Sequence, residues 1–189
     1  MKLKPNFVKI TWQKLEKDCI NLSSKLKEKK LDRIVAISRG GLVVARIFSD
    51  LLSIPISHIT IESYKDLKQD KKPIITELPS RIFHNQTILI VDEISDSGRT
   101  FERALGYFQR FENIKIYTLA PYIKPNTKYI PHYYKEKIDG WIIFPYEIQE
   151  TTTALLKLFK NKNKAMNQLQ KIGFHKWEIT KIFSKKYGA

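Results

Sequence analysis

Short blocks of uninterrupted apolar residues alternate along this chain with stretches in which apolar positions recur every three or four residues. That succession predicts strands alternating with helices. Arg33–Ser38 (RIVAIS) and 87–92 (TILIVD) are apolar almost throughout, as strands buried on both faces of a parallel sheet must be. Trp12, Leu15, Cys19, Leu22 and Leu26 are spaced for a helix over 11–29, and Leu42, Val43, Ile47, Leu51 and Leu52 for one over 42–52. A third helical pattern runs over 101–111, and further strands are expected at 57–62, 114–119 and 138–143. The alternation argues for an α/β fold, a mostly parallel twisted sheet flanked by helices, with antiparallel edges where connections lack a helix.

Three segments break the pattern. Residues 65–82 carry most of their charge before Pro73 and show no period, so they read as a long loop, either solvated or a lid over a site. The stretch 121–131 is rich in proline, tyrosine and lysine, as a surface connection would be. From Thr151 onward, helical pieces (Leu155, Leu156, Phe159; Met166, Leu169, Ile172; Trp177, Ile182, Phe183) are separated by Asn161–Asn163 and Gly173. Their apolar faces call for a partner, either the main domain or a second subunit. The expected division is therefore an α/β domain over 1–150 and a basic helical extension over 151–189.

Composition narrows the setting. No apolar run approaches the ~18 residues of a membrane span, and no secretory signal opens the chain, so a cytoplasmic protein is expected. One cysteine, Cys19, excludes an intramolecular disulfide or a cysteine zinc cluster and reads as a core thiol. A formal net charge of +15 predicts attraction to anionic substrates or polyanions. It is concentrated in 151–189, which hold nine lysines and the single acid Glu178.

The chemistry concentrates at two turns. After the strand at 87–92 come the acids Asp92 and Glu93, then Ser95-Asp96-Ser97-Gly98-Arg99-Thr100 at the head of a helix. Ligands of open α/β sheets sit beyond the carboxyl ends of such strands. Hydroxyls, amides and a helix N-terminus suit a phosphate, whereas adjacent carboxylates suit sugar hydroxyls or a hard cation such as Mg²⁺. A sugar phosphate with a metal satisfies both. The second turn, Ser38-Arg39-Gly40-Gly41, follows the strand at 33–38. Its paired glycines allow close backbone approach and Arg39 adds fixed charge, a combination that fits pyrophosphate.

The string from Thr87 to Thr100 resembles the signature of the type I phosphoribosyltransferases, and Ser38–Val43 resembles the pyrophosphate loop of the bacterial xanthine-guanine members. Ile10-Thr11-Trp12, Ser63-Tyr64, Lys124-Pro125 and Trp141-Ile142 are similar to further landmarks in the same order, and the resemblance covers roughly residues 7–150. It implies the type I fold with a small hood, and transfer of a phosphoribosyl group from phosphoribosyl pyrophosphate (PRPP) to a 6-oxopurine in purine salvage. PRPP would be held by Ser38, Arg39, Gly40, Gly41, Asp92, Glu93, Ser95, Asp96, Ser97, Gly98, Arg99 and Thr100. Asp92 and Glu93 would also share a magnesium ion. Asp96 would be the catalytic base, and Lys124, Trp141 and Ile142 would bind the purine. The 65–82 loop would act as a flap, and a homodimer or homotetramer is expected. Where family members often carry an acid two residues after the tryptophan, this chain has Ile143. A rival reading keeps the fold as a sensor of PRPP or nucleotides that binds nucleic acid through the basic C-terminal helices, two of which about Gly173 would imitate a helix-turn-helix.

Overall fold

The computed structural model describes residues 6–62, 65, 66, 69, 70 and 72–187. The Ser63–Tyr64 landmark lies outside the described residues. In chain order the elements are β1 (Phe7–Lys9), α1 (Trp12–Ser23), β2 (Arg33–Ser38), α2 (Gly41–Leu52), β3 (Ile56–Glu62), β4 (Lys65–Asp66), β5 (Gln69–Asp70), β6 (Ile74–Glu77) and β7 (Thr87–Val91). There follow β8 (Ile94–Ser95), α3 (Arg99–Phe108), β9 (Lys115–Leu119), β10 (Tyr122–Ile123), β11 (Glu136–Lys137), β12 (Trp141–Ile143), α4 (Ile148–Phe159), α5 (Lys162–Ile172) and α6 (Lys176–Tyr187). Two compact units emerge: Leu15–Ile138, and a second that joins the residues up to Lys14 with those from Asp139 onward.

The larger unit is built on a five-stranded sheet in the order β6-β3-β2-β7-β9. β3, β2, β7 and β9 run parallel, and β6 joins antiparallel at the edge. The two central strands are those with the longest apolar runs. Ile34, Val35, Ala36, Ile88, Leu89, Ile90 and Val91 are fully buried, because helices cover both faces of a parallel sheet. Helix α3 packs through Phe101, Ala104 and Phe108, at helical spacing, and Phe83 meets Phe108 edge-on with ring centres 5.1 Å apart. Removing such a buried ring costs on the order of 3–5 kcal/mol.

Two expectations need correction. Helix α1 ends at Ser23 and passes into a 3-10 turn over Ser24–Leu26 rather than running to 29. The Ser23 and Ser24 hydroxyls donate to the Ile20 and Asn21 carbonyls (each 2.8 Å), a local bonding pattern that competes with the helical ladder. The 65–82 stretch is not loop throughout. Ile74–Glu77 forms the edge strand β6, with Ile75 paired to Ile61, too short a run beside the lysines to show a period.

In the smaller unit β1 and β12 pair in parallel, Phe7 opposite Trp141 and Lys9 opposite Ile143. Helices α4, α5 and α6 close a core of Ile143, Leu155, Ala165, Leu169, Phe174, Ile179 and Phe183, with Phe7 and Ile148 packed against it. The apolar faces of the C-terminal helices thus find their partners in one another and in this strand pair. Among the described residues no helix is long and apolar enough to cross a membrane.

Candidate active site

Strands β2 and β7 are hydrogen-bonded neighbours in parallel register, Ala36 opposite Val91, so the turns at their carboxyl ends open side by side. The turn after β2 is shaped by what it lacks. A Cβ on Gly41 would lie 2.5 Å from the Val91 carbonyl oxygen and 3.0 Å from the Asp92 Cα, so only glycine lets α2 begin here. The space a Cβ on Gly40 would fill is taken by the Glu93 carboxylate. The Leu42 N–H donates to the Arg39 carbonyl (3.1 Å), no side chain caps α2, and the Ser38–Arg39 peptide bond is cis.

Asp92 is 8% exposed, its N–H donating to the Leu119 carbonyl (3.1 Å) while the Glu93 N–H donates to Asp92 Oδ1 (3.0 Å). Burial first, and the neighbouring Glu93 carboxylate second, hold the Asp92 carboxyl well above the usual carboxylate range. Glu93 Oε2 is buried without a hydrogen-bond partner. Two crowded carboxylates with an orphaned oxygen want a hydroxyl donor or a cation. Among the described residues no group of three His, Cys, Asp or Glu side chains gathers to hold a metal. Magnesium fits such a site, because it is commonly bound by one or two carboxylates with its other ligands from substrate phosphates and water.

The turn after β7 is shaped by a brace. Gly98, at φ +86°, would place a Cβ 2.7 Å from Tyr129 Cβ and 3.1 Å from Thr127 Oγ1. Ser95 is 1% exposed. Its hydroxyl donates to the Tyr129 carbonyl (2.7 Å) and lies 2.9 Å from Thr127 Oγ1, so this side chain is turned into the brace. Backbone N–H groups of Lys124 and Lys128 donate to the carbonyls of Ser95 (3.0 Å) and Ser97 (3.1 Å), extending the parallel pairing of β8 with β10. Tyr129 stacks on Phe101 (5.4 Å), and its hydroxyl lies 3.0 Å from Thr118 Oγ1. Asp96 and Ser97 are left exposed at the tip, Arg99 and Thr100 half-buried as α3 begins, and no side chain caps that helix. The open helix start presents amides and a positive dipole end to an anion.

All twelve residues expected at the two turns therefore lie in the larger unit, and Lys124 joins them through its backbone contact with Ser95. Trp141 and Ile142 belong to the smaller unit, where Ile142 is buried and Trp141 is 46% exposed beside Phe7. Thr127 and Tyr129 were not foreseen as part of the site. Their only signal in the sequence is polar and aromatic character in a proline-rich stretch. A cavity of about 460 Å³ also adjoins Ser38, Arg39 and Leu42, walled by Thr60, Glu62 and Glu77 from β3 and β6.

A phosphoribosyl transferase domain model matches residues 10–151. The chain is 28% identical over 148 residues to the xanthine-guanine phosphoribosyltransferase of Cereibacter sphaeroides, covering 74% of this chain and 86% of that one. It is 30% identical over 151 residues to the protein of the same name from Desulfotalea psychrophila, covering 78% and 90%. Among solved structures, purine phosphoribosyltransferase from Pyrococcus horikoshii superposes with a TM-score of 0.68 at 32% identity, over 74% of this chain and 93% of that one. Xanthine-guanine-hypoxanthine phosphoribosyltransferase of Helicobacter pylori shares the fold, with a TM-score of 0.68 at 23% identity over 79% and 99%. The two glycine turns at adjacent strand ends and the matched family model agree: the chain belongs to the phosphoribosyltransferase family.

Proposed function

We propose that this protein is a purine phosphoribosyltransferase that joins a 6-oxopurine (guanine, xanthine or hypoxanthine) to PRPP, releasing pyrophosphate and a nucleoside 5′-monophosphate for purine salvage. The observation that carries this is the contact between the turns: the Glu93 carboxylate lies against Gly40, so a group on the Ser38–Gly41 turn and a sugar on the acid pair would be neighbours. That is the arrangement needed to separate a pyrophosphate from a ribose.

As the C1–oxygen bond breaks, positive charge develops on the ribose and negative charge on the leaving group, and catalysis must stabilise both. Arg39 and the Gly40 and Gly41 amides face the leaving group. Asp92 and Glu93 accept hydrogen bonds from the ribose hydroxyls and offset the ring's positive charge. Magnesium held by these two carboxylates and by substrate oxygens would supply Lewis-acid neutralisation of pyrophosphate. Ser97–Thr100 and the start of α3 anchor the 5-phosphate as a remote handle, with Ser95 buttressing the turn from behind. Asp96, exposed at the tip, accepts the proton from the purine imidazole ring as the new bond forms. The Lys124 ammonium donates to the 6-oxo group and disfavours adenine, which would present an amino group to a donor. Trp141 and Ile142 are assigned to the purine by the family resemblance.

The test is pyrophosphate release from PRPP with Mg²⁺ across guanine, xanthine, hypoxanthine, adenine and orotate. Turnover confined to the 6-oxopurines supports the proposal, and turnover with orotate or adenine alone overturns it. Lys124→Ala is expected to narrow the preference for guanine over adenine by about tenfold or more, the scale of one unsatisfied hydrogen bond. An unaltered ratio removes the lysine from base selection.

A further inference from the structure

The C-terminal helices carry a charge imbalance that the active site does not use. Residues 151–189 contain nine lysines and one acid, and Lys157, Lys160, Lys164, Lys171, Lys176 and Lys181 are all exposed. Burial of the apolar faces does not account for them, since those faces close on Ile143, Leu155, Ala165, Leu169, Phe174, Ile179 and Phe183. The lone acid is engaged locally: Glu178 accepts from the His175 N–H (2.6 Å), the reciprocal half of a capping box at the head of α6. Among the described residues no carboxylate pairs with Lys171, Lys176 or Lys181.

The shape of this charge is as informative as its amount. α5 and α6 are joined by only three residues, Gly173, Phe174 and His175. Gly173 is left-handed at φ +99°, its carbonyl accepts from Lys9 Nζ (2.6 Å), and Phe174 is buried at 5% beneath the turn. Two helices on a three-residue, glycine-bearing turn are the connection of a helix-turn-helix, whose second helix presents its outer face to a duplex. On α6 that outer face is polar and continuous. Trp177, Thr180, Lys181 and Ser184 are exposed and share one side by helical spacing, with Lys176 at the edge of that side nearest the buried Ile179 and Phe183. Trp177 is 68% exposed within this face, beside lysines whose ammonium groups are able to donate to phosphate. The face lacks the apolar stripe that insertion into a lipid surface requires.

From these observations we infer that the outer face of α6, with Lys171 at the end of α5, is a docking surface for duplex DNA gripped through its phosphate backbone. Lys171, Lys176 and Lys181 neutralise phosphates and Trp177 lies over the sugar edge, while the Thr180 and Ser184 hydroxyls donate to the Lys176 (2.9 Å) and Lys181 (3.0 Å) carbonyls and only line the face. The surface is separate in sequence from every residue assigned to phosphoribosyl transfer, so it stands or falls independently of that assignment.

The test is fluorescence anisotropy of the full chain with a labelled duplex of about 20 base pairs over a series of salt concentrations. Binding should weaken linearly on a log–log salt plot. The variant K171Q/K176Q/K181Q should bind roughly tenfold or more weakly at 0.1 M salt, with a slope shallower by about 0.9 per lysine removed. Trp177→Ala should bind several-fold more weakly with unchanged slope, since it removes no charge. Far-UV circular dichroism and Tm matching those of the wild type show that both variants are folded. The inference is overturned if wild type and triple variant bind alike, if no duplex binds at 0.1 M salt, or if single-stranded RNA or an acidic polypeptide competes away the duplex at equal phosphate or carboxylate concentration.

Discussion

The turns after β2 and β7 stand side by side, yet they are held in opposite ways. The Ser38–Gly41 turn is defined by missing atoms: Gly41 sits where any side chain would strike the Val91 carbonyl, and Gly40 leaves its space to the Glu93 carboxylate. The Ser95–Thr100 turn is defined by added contacts, with Ser95, Thr127, Tyr129 and two backbone donors from 124–128 holding it from behind. On the proposed function, the difference follows from what each turn would grip. Pyrophosphate must come within reach of amides beside the acid pair, which calls for bare backbone. A 5-phosphate handle must hold its place while the ring moves, which calls for bracing.

Four substitutions would break or sharpen this contrast. Asp96→Asn keeps the braced turn and removes only the proposed proton acceptor, so kcat should fall about 10²–10⁴-fold. The KM for PRPP should barely change, and an unchanged kcat in steady-state assays would dismiss Asp96 as the base. Gly41→Ala attacks the bare turn. Its Cβ meets backbone that cannot swing aside, and kcat/KM should drop on the order of 10²-fold, with a stability loss of about 1–3 kcal/mol in chemical denaturation. Near-wild-type activity would show that the close approach is not needed.

Thr127→Val attacks the brace behind the second turn. Losing its bond to the half-buried turn should cost about 1 kcal/mol and raise the KM for PRPP several-fold with kcat little changed. If kcat falls and KM does not, the brace serves the base rather than the phosphate. The smallest effect is on unliganded stability. Because the folded-state value of Asp92 is raised, its protonated form favours the fold, and this contribution is present below the ordinary carboxylate pKa and lost as pH rises through the raised value. Asp92→Asn should therefore melt higher than wild type at neutral pH, by about 2–4 °C for each kcal/mol relieved, and the gap should close in acid. Mg²⁺ with pyrophosphate should narrow it by stabilising the wild-type carboxylate. A gap that does not vary with pH would exclude the crowded carboxylates as its origin.

A second buried polar pair was not foreseen. The Tyr122 hydroxyl donates to Asp18 Oδ2 (2.9 Å), and burial with this bond pushes the phenol up, while burial pushes the Cys19 thiol up to about 12. Cys19 is fully buried, so it is the inert core thiol its helical spacing suggested.

The central strands, the helices after them and both glycine turns were legible in the chain itself, because a strand buried on two faces must be apolar throughout and a turn packed closely against a neighbouring segment needs glycine at the point of approach. Arg33–Ser38, 87–92 and the two turns follow from local chemistry alone. The edge strand Ile74–Glu77 was not legible, since half its pairing surface is solvent and its pattern is shared with any polar loop. The brace from Thr127 and Tyr129 was not legible either. It joins residues about thirty positions apart that only the parallel pairing of β8 with β10 brings together, and no local period records such a meeting. Only folding decided that Glu93 would lie against Gly40, because the distance between two strand ends depends on sheet order, which short-range preferences do not encode.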